Sequence, residues 1–101
     1  MRDGESVAAF GDFHSVYPTS PRPNATSVAW SPVERRTERV RVRAHTCECL
    51  PLVFEQCRAG GLGFIRRHDR SVSPWIVVDS PWMKVGDAET LWQRIMRGEA
   101  R

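Results

Sequence analysis

The stretch LPLVFEQCRAGGLGFIRR, Leu50 to Arg67, decides the fold. Its first half carries Leu50, Val53, Phe54 and Cys57 at helical spacing, Pro51 suits a first helical turn, and Gly60 and Gly61 suit a helix end. These signals predict a short helix with one apolar face, and Leu62 to Arg67 then reads as a strand. Upstream, RTERVRVRAHT alternates Arg39, Arg41 and Arg43 with Val40, Val42 and Ala44, the pattern of a half-buried strand. Downstream, Trp75 to Asp79, bounded by Pro74 and Pro81, reads as a third strand, joined to Leu62–Arg67 as a hairpin across DRSVS.

The C-terminal segment is the most regular. Ala88, Leu91, Trp92, Ile95 and Met96 form one apolar stripe, Asp87 is placed to cap it, Arg94 and Arg97 fall in the last turn, and Gly98 follows. The expected order is therefore β-α-β-β-α, an α+β domain in which a three-stranded sheet carries two helices on one face and leaves the other open. Residues 36–101 would form this domain. Residues 1–35, with four of the seven prolines and no periodicity from Tyr17 to Pro32, would form an irregular arm, from which Phe10, Phe13, Tyr17 and Trp30 could dock.

At 101 residues the chain holds one modest core. Its longest apolar run is far short of a membrane span, and the N-terminus lacks the pattern of a secretory signal. Three cysteines, clustered at Cys47, Cys49 and Cys57, are an odd set for a disulfide framework and read as reduced thiols in a cytoplasm. Of 15 basic residues only Lys84 is a lysine, and the net charge is +3. Residues 36–101 hold the positive charge, with twelve basic against eight acidic groups.

Three chemistries are open to these residues. Arg39, Arg41 and Arg43, with Arg66 and Arg67 on an adjoining strand, would make a cationic sheet face able to bind nucleic-acid phosphates or an acidic protein through paired donors. Trp82, in SPWMK, offers an anchor for a partner. Alternatively, Cys47, Cys49 and Cys57, completed by His68 or His45, would hold a zinc ion, making the chain a small zinc-binding module. A catalytic variant pairs Cys49, near a helix start, with His45 as base, but no orienting third group or oxyanion site accompanies it. Paired carboxylates, a phosphate-binding glycine loop and a serine triad are all absent from the sequence, which is expected to be non-catalytic.

GLGFIRR resembles part of the RNP1 segment of RNA-recognition motifs: Gly61, Gly63, Phe64 and Ile65 fit, whereas Gly60, Leu62 and Arg67 depart from it. More broadly, HTCECLPLVFEQCRAGGLGFIRR with ETLWQRIMRGEAR is similar to short uncharacterised proteins of actinobacteria, some on phages or integrative elements. That likeness implies a small accessory or regulatory role in a bacterial cytoplasm and no particular activity.

Overall fold

A computed structural model describes residues 16–101; the expected docking residues Phe10 and Phe13 lie outside them. The sheet has six strands, β1 (Ser31–Pro32), β2 (Arg41–His45), β3 (Leu52–Ala59), β4 (Leu62–Asp69), β5 (Ile76–Asp79) and β6 (Met83–Lys84), followed by one helix, α1 (Val85–Met96). The strands are antiparallel in the order β1-β5-β4-β3-β2, with β6 also pairing β4. This corrects the expected three-stranded sheet with two helices: the described chain is mostly β, with a single helix.

The difference lies in β3. Residues 52–59 form a strand buried on both sides, so apolar side chains occupy both phases of the two-residue repeat, and Val53, Phe54 and Cys57 imitate helical spacing. Pro51 precedes the strand instead of opening a helix. Gly60 and Gly61, with φ of 56° and 79°, form the two-residue hairpin turn between β3 and β4, a turn that needs positive φ at both positions. Eight residues on each side pair without interruption, from Ala59 with Leu62 to Leu52 with Asp69.

That register distributes the core. Phe54, Ile65, Trp92, Ile95 and Ala100 pack together where α1 crosses the sheet, joined by the half-buried Val28, Trp30 and Leu91. Close approach of helix and sheet depends on Gly63, because a Cβ there would lie 2.7 Å from the Cβ of Ala88. A second cluster, Cys57, Ala59 and Phe64, is covered by Val40 and Trp82. The β4–β5 hairpin forms as the sequence predicts, pairing Arg66 with Asp79 through Asp69 with Ile76. Helix α1 also forms, but it starts at Val85 with Lys84 at the cap position and no side-chain cap, which places Asp87 in the first turn.

Residues 16–30 have little regular structure and run beside the C-terminal end of the chain. Backbone N–H groups of Thr19, Arg22, Thr26 and Val28 donate to the carbonyls of Met96, Gly98, Glu99 and Arg101, at 2.7–2.9 Å. Ser31 and Pro32 then extend the sheet beyond β5. No helix among the described residues is long and apolar enough to cross a membrane.

Two substitutions test this packing by chemical denaturation. Trp92→Ala is expected to lose about 3–5 kcal/mol, a large part of the stability of so small a domain, whereas Arg94→Ala loses only about 1 kcal/mol with its bonds to Thr26 and Glu99. Gly63→Ala is expected to cost about 1–3 kcal/mol through overpacking against Ala88, and Ala88→Gly in the same chain should return part of it.

Candidate functional site

The functional residues expected from sequence separate into three places. The first is a groove of about 550 Å³ at the β2–β3 edge, lined by Arg39, Arg41, Arg43 and Arg58, with the Gly60–Gly61 turn and Val85 at the start of α1. Arg41 and Arg58 are directly opposite in the strand pair, an arrangement that costs free energy through like-charge repulsion. Between Val42 and Ala44 the register shifts, which leaves Arg43 as the extra residue of a bulge, and Arg41 and Arg43 both line the groove. Glu38 is the only acidic residue in the lining, and none of the four guanidinium groups has a hydrogen-bond or ion-pair partner among the described residues. Arg58 was hidden from the sequence reading by its assignment to a helix, although its place beside Arg41 follows once β3 is a strand.

Arg66 and Arg67 do not join this group, because β3 separates β4 from β2. Arg66 instead holds Asp79 across the β4–β5 pair, with Nε and Nη2 donating to the two carboxylate oxygens at 2.8 and 3.2 Å. That bond to Asp79 raises the guanidinium pKa further, outweighing the opposing effect of burial. Arg67, on the opposite side of the strand, places its guanidinium 4.8 Å from the ring centroid of Trp30. The expected five-arginine face is thus divided among a groove, an ion pair and a stacking contact.

Trp82 is not a free anchor. Its ring stacks on Phe64 with centroids 4.7 Å apart and planes within 4°, and Arg36 covers its other side at 4.1 Å. This arrangement also bears on the RNP1 likeness. An aromatic ring that stacks on bases must lie on an open sheet face, whereas Phe64 is 0 % exposed. Moreover, the segment begins directly after a hairpin turn, and Gly61 is needed for that turn.

The second place is the Cys47–Cys49 loop between β2 and β3, fastened by Arg70, whose Nη2 donates to the carbonyls of Glu48 and Leu50. Cys47 and Cys49 bring their sulfurs to 3.1 Å, and the Tyr17 hydroxyl lies 3.0 Å from Cys49 Sγ. Cys57 is elsewhere, inside the Phe64 cluster, and His68 Nε2 meets Glu55 Oε1 at 2.7 Å. His45 Nδ1 donates to the Thr46 carbonyl, so no Cys49–His45 pair is formed. The expected set of Cys47, Cys49, Cys57 and His68 is therefore not assembled, and no group of three or more His, Cys, Asp or Glu side chains among the described residues is placed to hold a metal ion. The reason is the strand: in β3, Cys57 lies much farther along the chain axis from the loop than a helical turn would put it.

The third place is a cavity of about 570 Å³ between residues 18–30, the end of α1 and the sheet, lined mainly by apolar residues, with Arg67 among its polar ones.

Thiol chemistry separates the cysteines. Burial, reinforced by the nearby Glu55 carboxylate, pushes the Cys57 thiol up to about 12, so it stays protonated through the neutral and mildly alkaline range. Iodoacetamide at pH 8 is expected to modify the exposed Cys49 first and to leave Cys57 untouched until the protein unfolds, as read by peptide mass mapping. Rapid labelling of Cys57 in the folded protein would contradict the buried β3.

The chain matches no protein-family model, no curated protein and no solved structure.

Proposed function

We propose that this chain is a small non-catalytic binding protein whose arginine groove contacts an acidic macromolecule, either nucleic acid or an acidic protein surface. The observation that carries the reading is the set of four arginines in one groove with no hydrogen-bond or ion-pair partner among the described residues, two of them directly opposed across a strand pair. A charged group that repels its neighbour in the free protein gains when an anion is placed between the two. Arginine suits that role because its planar fork donates paired hydrogen bonds to phosphate or carboxylate oxygens. Val85, the first residue of α1, lies in the same lining, so the positive end of the helix dipole adds to the field there. A groove open along one side fits a polymer better than an enclosed small molecule, and nothing in it resembles an acid–base or nucleophilic pair. A cytoplasmic setting belongs to the same proposal, since all three cysteines are thiols.

Fluorescence anisotropy with labelled single-stranded and duplex DNA and RNA, and with polyglutamate as an acidic-protein probe, tests the reading. The parent protein is expected to bind one of these classes at low salt, with log affinity falling linearly with log salt concentration. Replacing Arg41, Arg43 and Arg58 together by glutamine should lower affinity at least tenfold and flatten the DNA salt slope by roughly 2–3, about 0.9 per lost phosphate contact. Thermal stability of this variant should be unchanged or higher, because Arg41 and Arg58 no longer repel. Equal affinity and slope in parent and variant would exclude the groove.

A further inference from the structure

The cavity beside residues 18–30 has a different chemistry from the groove. Its walls include Val28, Trp30, Leu52, Phe54 and Ile95, and the Trp30 and Phe54 rings lie 6.2 Å apart at 39°. About 570 Å³ is the size of a small-molecule site, and predominantly apolar walls with few polar groups are usual for one. The polar residues of the lining are Thr19, Ser20, Ser27, Arg67 and Arg101, and of these Arg67 is the one set against an aromatic ring. Its guanidinium is half-buried, lies against the Trp30 ring and has no hydrogen bond or ion pair among the described residues. Its Nε is fully shielded without an acceptor, and so is Nε1 of Trp30 on the same wall.

A cation placed in apolar surroundings without a counter-charge is costly, and the adjacent Arg66 shows the usual remedy in its two-point bond to Asp79. Among the described residues, no carboxylate bonds Arg67 in that way. Asp69, whose charge interacts with Arg67, has Oδ1 occupied by the backbone N–H and hydroxyl of Ser71. We propose that this cavity binds a small organic anion with a flat apolar body, its carboxylate-type head at the terminal nitrogens of Arg67 and its body beside Trp30 and Phe54. Arg67 supplies the charge and fork geometry, and the Trp30 ring holds the guanidinium in place by stacking. The site is independent of the arginine groove, with which it shares no lining residue.

The full-length protein is titrated calorimetrically with 1-naphthoate and with its uncharged counterpart 1-naphthamide. Binding of naphthoate at one per chain, at least tenfold tighter than the amide, is expected. Arg67→Met, which keeps an apolar stem, should remove that tenfold preference while Arg41→Gln leaves it intact. Should Arg67→Met fail to fold, intermolecular NOEs in the parent protein decide instead, with contacts expected from the naphthalene protons to the Trp30 and Phe54 rings. Equal affinity for acid and amide, an unchanged preference in folded Arg67→Met, or bound naphthoate without those contacts would each overturn the proposal.

Discussion

The two glycines at Gly60 and Gly61 set the register on which the rest of the structure depends. Their positive φ values close β3 onto β4 with a two-residue turn, and from that point the pairing of Cys57 with Phe64 and Gln56 with Ile65 is fixed. A shift of one residue would exchange the two faces of β4, moving Phe64 under the helix and Ile65 beneath Trp82. It would also separate the cross-strand charges. Glu55 reaches His68, and Arg66 reaches Asp79, only because β3, β4 and β5 are aligned as they are. Apolar packing and charge pairing thus select the same register, which is the agreement between levels expected of a uniquely folded chain.

Within that frame, adjacent arginines of β4 meet opposite fates. Arg66 projects to the face where Asp79 waits and becomes part of the sheet's internal support. Arg67 projects to the helix side, where Phe54, Ile95 and Trp30 offer stacking and apolar contact but no carboxylate. The same contrast appears between β4 and β2, since Arg41 faces Arg58 rather than an acid. With 12 acidic residues in the chain, compensation was available in number: Glu99 meets Arg22 and Arg97, Glu34 meets Arg36, and two further pairs, Arg66–Asp79 and His68–Glu55, lie at the β3–β4–β5 centre. Arg39, Arg41, Arg43 and Arg58 at the groove and Arg67 at the cavity bond to no carboxylate among the described residues.

How far this was legible in the sequence depended on how cleanly each segment faces one environment. Helix α1 has water on one side and the sheet on the other, so its stripe from Ala88 to Met96 could be read directly. The β4–β5 hairpin was marked by its prolines and apolar runs. β3 was not, because burial on both faces erases the alternation that identifies a strand, and a Gly-Gly pair serves a helix end as readily as a hairpin turn. Cys57, expected on a helix beside the Cys47–Cys49 loop, lies instead on β3 within the Phe64 cluster. Trp30 carries no periodic signal at all: its segment is held by hydrogen bonds to the backbone at and beyond the end of α1, partners more than seventy positions away. The arginine groove was half visible through Arg39, Arg41 and Arg43, while Arg58 required the strand.

A small domain has a net stability of about 5–15 kcal/mol, and an opposed like-charge pair or an unpartnered half-buried guanidinium consumes some of it without adding packing. Simple exposure would make such charges harmless, yet Arg58 and Arg67 are both half-buried and each lines a concavity. Arg67 could have been met by an acid at Val78, its neighbour across the β4–β5 pair, much as Arg66 is met by Asp79 one residue on. The residue there is a valine, which offers Arg67 no charge partner. An apolar wall favours the body of a ligand and a lone cation favours its charge, so the feature that weakens the free protein is also the one that gives a bound anion both of its contacts.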